Sequence, residues 1–133
     1  MDEGEKYKIL IVDDNDDVRR LVKKVLVMSG HIVLEAAMGL EALEIAEEEI
    51  PDLILMDIRL QGELNGLETT RRIKEDLALA RIPIVALTAS VLEQDRMQAL
   101  AAGCSGFIGK PIDITDLPGV VDTFISHGAS KPR

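Results

Sequence analysis

At 133 residues the chain fits one domain, and with 47% apolar residues it can bury a core of its own. One Tyr, two Phe and no Trp make that core aliphatic. The formal net charge of −9, with no Lys/Arg run longer than a pair, argues against binding nucleic acid or an anionic membrane.

The chain opens on an acidic, polar stretch, Met1 to Tyr7, with no apolar segment of the signal-peptide kind. No apolar run approaches the roughly 18 residues of a membrane span. Cys104 is the only cysteine, so no internal disulfide can form. It reads as a small buried residue and not a redox sensor. Together these features predict a cytoplasmic domain. One domain is expected over residues 8–127, with flexible tails at 1–7 and 128–133.

Short apolar runs then alternate with longer amphipathic ones. Lys8-Ile9-Leu10-Ile11-Val12 is the first run and ends in Asp13-Asp14. Val18, Leu21, Val22, Val25 and Leu26 follow helical spacing until Ser29-Gly30 stops them. His31 to Leu34 is a second strand, and Gly39 to Ile50 a helix halted by Pro51. Asp52 to Met56 is a third strand running into Asp57, followed by a helix over Leu67 to Leu77. Ile82 to Leu87 is a fourth strand, with Pro83 near its start, where a missing N–H is tolerated. Val91 to Ala102 is a helix closed by Gly103, and Ser105 to Ile108 a last strand. Thr115 is placed to cap a final helix with Pro118 in its first turn.

Strands apolar on both faces, alternating with helices, predict a parallel sheet covered on both sides. Right-handed crossovers leave few topologies, and a five-stranded doubly wound α/β sheet fits best. In such a sheet ligands bind beyond the carboxyl ends of the strands, near a switch in strand order. The residues at those ends here are Asp13-Asp14, Asp57, Thr88 and Lys110. Singly each has an ordinary reading: a turn-forming Asp, an Asp14-Asn15 helix cap, a strand threonine, a solvated lysine. Together they bring three carboxylates, a hydroxyl and an ammonium to one surface. A hard divalent cation with oxygen ligands relieves the carboxylate repulsion, and magnesium suits two carboxylates, a backbone carbonyl and several waters.

These same residues carry a family resemblance. Asp13-Asp14 after an apolar strand, Leu55-Met56-Asp57, Leu87-Thr88-Ala89 and Lys110-Pro111 resemble the response regulator receiver pattern, in order and at the expected spacing, from about Lys8 to Ile125. The resemblance implies a flavodoxin-like (βα)5 fold, strand order 2-1-3-4-5. It implies Asp57 as phosphoacceptor, with Mg2+ (or Mn2+ in its place) held by Asp14, Asp57, the backbone carbonyl of Arg59, and Asp13 directly or through water. Lys110 would neutralise the phosphoryl charge and Thr88 would hydrogen-bond a phosphoryl oxygen. Phe107 matches the aromatic switch position. A cis Lys110-Pro111 bond is frequent in this family.

One loop departs from the commonest pattern. Many receivers carry Met-Pro shortly after the acceptor and a glycine eight residues on. Here Leu60-Gln61-Gly62-Glu63-Leu64-Asn65-Gly66 lacks the proline and puts Gly66 nine residues after Asp57. It resembles a subset with one extra residue. Arg59 and Ser90 hold positions that border the path of an attacking water in this family, and Arg59 is expected to shield the acyl phosphate.

The implied partners are a sensor histidine kinase or histidine phosphotransfer protein upstream. A downstream protein would meet the face of the fourth helix, fifth strand and fifth helix. The chain is expected to be a monomer or weak homodimer of the single-domain type. A hydrolase of the haloacid-dehalogenase kind needs a second Asp two residues after the nucleophile, where this chain has Arg59. A pseudo-receiver is opposed by the complete acidic set. An excised receiver of a hybrid kinase would look much the same as a free-standing one.

Overall fold

The computed structural model describes residues 6–128, so the expected tails lie outside the described residues except for Lys6, Tyr7 and Gly128. Strands and helices alternate: β1 (Lys8–Val12), α1 (Asp16–Met28), β2 (Ile32–Ala36), α2 (Gly39–Glu49), β3 (Leu53–Asp57), α3 (Gly66–Glu75), β4 (Ile84–Thr88), α4 (Glu93–Ala102), β5 (Gly106–Gly109) and α5 (Leu117–Gly128). All strand pairs are parallel and the order is β2-β1-β3-β4-β5, as expected.

The apolar runs make sense as strands because both faces are covered. Ile9, Leu10, Ile11 and Val12 are fully buried, as are Leu53 through Met56. Alternate residues feed opposite layers. Leu10, Val12, Ile54 and Met56 pack with Ala42 and Ala46 of α2, Ile73 of α3 and Ala99 of α4. Ile9, Ile11, Leu53 and Leu55 pack with Val22 and Leu26 of α1 and with Leu117, Val121 and Ile125 of α5. Each of the Ile, Leu, Val and Met side chains contributes about 1.5–3 kcal/mol by leaving water. Cys104 lies in the first layer, and burial pushes its thiol up, so it is a packing residue and a poor nucleophile.

Element ends depart from the periodic reading wherever a side chain captures the backbone. Asp76 Oδ1 accepts the Ala78 N–H at 2.9 Å, so α3 stops at Glu75 and Leu77 is left 93% exposed. Ser90 Oγ accepts the Leu92 N–H, and Val91 and Leu92 stay outside α4 with their side chains in solvent. Asp113, not Thr115, leads into α5: its Oδ1 accepts the N–H groups of Thr115 and Asp116 at 2.9 and 3.3 Å. Strand β4 starts after Pro83, whose carbonyl still accepts the Ile54 N–H. Strand β2 starts at Ile32, in register with Lys8, and reaches Ala36.

This topology positions the site. β1 is flanked by β2 on one side and β3 on the other, so the chain leaves β1 and β3 on opposite sides of the sheet. The crevice between their carboxyl ends is the switch point, and Asp13 and Asp57 stand at its rim.

Candidate functional site

Four of the five residues anticipated at the strand ends converge. Asp13, Asp14 and Asp57 each offer one carboxylate oxygen, and these atoms lie within 4.8 Å of one another. Lys110, just past β5, reaches back with its Nζ 2.9 Å from Asp13 Oδ2 and 3.6 Å from Asp57 Oδ2. The Lys110-Pro111 peptide is cis.

The local sequence orients each carboxylate. Asn15 N–H donates to Asp13 Oδ1 at 2.9 Å, and Arg59 N–H donates to Asp57 Oδ1 at 3.0 Å. Both are two-residue turns that an aspartate at a strand end makes with its own chain. Gln61 N–H donates to Asp14 Oδ2 at 3.1 Å across the crevice. Every carboxylate thus has one oxygen taken by a backbone N–H, and the second oxygens of Asp13 and Asp57 both face Lys110. Asn15 also caps α1 by accepting from Asp17 and Val18, which frees Asp14 from that duty.

Burial separates the two adjacent acids: Asp13 is fully buried, Asp14 is exposed, and Asp57 is 5% exposed. Burial pushes the Asp57 carboxyl above its ordinary value, and the charges of Asp13 and Asp14 push the same way. The Arg59 N–H and Lys110 offset only part of this. Burial works to lower Lys110, but its pairing with Asp13 and Asp57 more than reverses that, and the ammonium is held above its usual value.

Asp13 Oδ2 is buried, and the group that faces it is the Lys110 ammonium, 2.9 Å away. A repelling, oxygen-only donor set fits a hard divalent cation and does not suit a soft metal.

Thr88 ends β4. Its Oγ1 accepts the Ser90 N–H at 3.0 Å, which leaves the hydroxyl proton free to donate elsewhere. The Ser90 hydroxyl in turn donates to the Asp95 carboxylate at the start of α4. Phe107 on β5 is half-buried, with Arg96 of α4 stacked 5.3 Å from its ring centroid. Thr88, Arg96 and Phe107 line one cavity of about 310 Å³. Arg59 borders both this cavity and the one that holds Asp14, Asp57 and Lys110.

Three contributors escaped the sequence reading. Arg19 Nη1 donates to the Asp13 carbonyl at 2.7 Å, tying α1 to the end of β1. Arg96 lies against the aromatic residue, and Gln61 supplies an amide to Asp14. Only the last had a visible signal, the absence of proline from the loop after Asp57.

The family model of the response regulator receiver domain matches residues 9–122. The chain belongs to that family. This receiver is 39% identical over 119 residues to the polar-differentiation response regulator DivK of Brucella ovis, covering 90% of this chain and 94% of that one. It superposes on the chemotaxis protein CheY4 of Vibrio cholerae with a TM-score of 0.85 at 27% identity, covering 90% of this chain and 99% of that one. The receiver domain of a sensor histidine kinase from Pseudomonas aeruginosa, 34% identical, matches with a TM-score of 0.83 over 92% of this chain and 99% of that one. That structure has a magnesium ion coordinated in its active-site cleft. Among the described residues of this receiver, no helix is long and apolar enough to cross a membrane.

Proposed function

We propose that this receiver accepts a phosphoryl group on Asp57 from a phosphohistidine of a sensor kinase or phosphotransfer protein, and that the modified domain signals through protein contact. The observation that carries this reading is the convergence of three carboxylates and Lys110 on one crevice. Asp14, Asp57, the Arg59 carbonyl, and Asp13 directly or through water would hold Mg2+, with Mn2+ able to replace it. The cation supplies positive charge for the equatorial phosphoryl oxygens.

The chain's own residues account for the rest. An Asp57 carboxylate oxygen forms the new O–P bond as the P–N bond to the donor imidazole breaks; the departing ring nitrogen keeps the electron pair. Lys110 balances the charge left on the phosphoryl oxygens. The Thr88 hydroxyl, its oxygen already held by Ser90 N–H, has its proton to give to a phosphoryl oxygen. Ala89 is small and exposed, leaving room for the donor.

Phosphorylation adds charge and strong acceptors at Asp57. Drawing Thr88 inward opens space for Phe107, which biases the α4-β5-α5 face toward a downstream protein. The acidic surface favours protein over nucleic-acid or membrane partners, and a cytoplasmic monomer or weak homodimer fits this role.

Incubation with acetyl phosphate, with and without Mg2+, read by intact mass, tests the reading. A metal-dependent, acid-stable and base-labile adduct on the wild type that is lost in Asp57→Ala is expected. No adduct and no phosphate turnover would overturn it in favour of constitutive protein binding.

A further inference from the structure

We infer that the backbone N–H of Gln61 is a positioning group for Asp14, and that this chain's divalent-cation affinity depends on residue 61 not being proline. The inference rests on the cation reading of the site.

Of the three backbone donors that orient the acidic set, two are local. Asn15 serves Asp13 and Arg59 serves Asp57, each two residues away. The third bridges 47 residues and serves the one exposed carboxylate of the three, which its own surroundings hold least. The loop is built to present that amide. Leu60 is 5% exposed and packs into the core, which anchors the chain just before Gln61. Gly62 takes φ +108, a left-handed turn that glycine adopts without steric cost, just after it. Between a buried anchor and a turn, the Gln61 N–H is held 3.1 Å from Asp14 Oδ2, while Asp14 offers a carboxylate oxygen to the acidic cluster.

The Gln61 side chain is exposed, so the contribution is the amide alone. Proline has no N–H to give. Donors to the far oxygen of a ligating carboxylate fix its rotamer and typically change metal affinity by about 10- to 100-fold. Coupling also runs in reverse: a cation on Asp14 should steady the loop that carries Gln61.

The test compares Mg2+ dissociation constants, by titration calorimetry, for the wild type, Gln61→Ala and Gln61→Pro. Gln61→Ala keeps the N–H and should bind within about twofold of wild type, while Gln61→Pro should weaken binding about tenfold or more. Equal affinity in all three, or an equal loss in both variants, overturns the inference. If the wild type itself binds no Mg2+, the cation reading fails with it.

A second measurement needs neither proline nor metal. In the wild type the Gln61 amide should exchange with solvent deuterium more slowly than its neighbours Gly62 and Glu63, and Asp14→Ala should abolish that protection. Fast exchange in the wild type, or protection that survives Asp14→Ala, overturns the inference.

Discussion

Gly66 lies directly against Asp57. A Cβ at Gly66 would fall on the Asp57 carbonyl oxygen and stand 2.7 Å from Ile58 Cα, while the Gly66 N–H donates to the Ile58 carbonyl at 3.2 Å. The start of α3 is therefore packed onto the backbone of Asp57. In the loop before it, Leu60 and Leu64 are buried and Gly62 takes a left-handed turn between them.

Gly66→Ala should thus strain backbone against backbone, where no rotamer change gives relief. A loss of about 1–3 kcal/mol in urea unfolding is expected, with a slower phosphorylation rate. Gly62→Ala is the contrast: its Cβ meets nothing within 4 Å, so its cost comes from the φ of +108 alone. It should be smaller, about 1 kcal/mol.

Asp57 should make stability fall with pH in the metal-free protein. Burial first, then Asp13 and Asp14, raise its folded pKa above the ordinary 3.8, so the folded state holds the proton more tightly than the unfolded chain does. The stabilisation from that proton is complete below 3.8 and is lost as pH rises through the raised folded value. Asp57→Asn removes this loss. At neutral pH without metal it should be more stable than wild type by on the order of 1 kcal/mol. Urea melts across the acid range check this, and a wild type that is equally stable throughout would sink it.

Lys110→Ala leaves the fully buried Asp13 carboxylate without its counter-charge. Removing one partner of a buried pair costs about 3–5 kcal/mol. On the proposed reading, Mg2+ would supply positive charge to the same acidic cluster, so the rise in Tm on adding Mg2+ should be larger for Lys110→Ala than for wild type. Thermal melts with and without metal read this directly.

Arg59 is exposed and borders the cavity that holds Asp14, Asp57 and Lys110. If its side chain shields the acyl phosphate, Arg59→Ala should lose the phosphoryl group several-fold faster. An unchanged autodephosphorylation rate, followed by intact mass after the donor is removed, would reject the shielding role.

Arg96 stacked on Phe107 holds the ring beside the cavity it shares with Thr88. An exposed cation–π contact is worth about 0.5–1 kcal/mol, so Arg96→Ala should shift the population of Phe107 conformers about 2- to 5-fold without phosphorylation. Aromatic NMR resonances of Phe107 report the shift. No change would mean that Arg96 only covers the ring.

The sequence by itself determined the alternation of strands and helices, the parallel doubly wound sheet and the family. It also marked Asp13, Asp14, Asp57, Thr88 and Lys110 as the residues at or just beyond the carboxyl ends of the strands. A parallel sheet sends every strand's carboxyl end to one edge, so residues at strand ends meet whatever the details of packing. Strand burial is likewise written in two-sided apolar runs such as Ile9 to Val12.

Only the tertiary structure decided what depends on distance between remote residues. It set which of the adjacent acids is buried, which oxygen of each carboxylate is already bonded, and the upward shift of Asp57. It also set where Asp76 ends α3, where Ser90 delays α4 and where Asp113 leads into α5. The Gln61 amide meets Asp14 only because Leu60 is buried and Gly62 turns the chain. Local periodicity carries no information on such contacts; packing of the whole domain sets them.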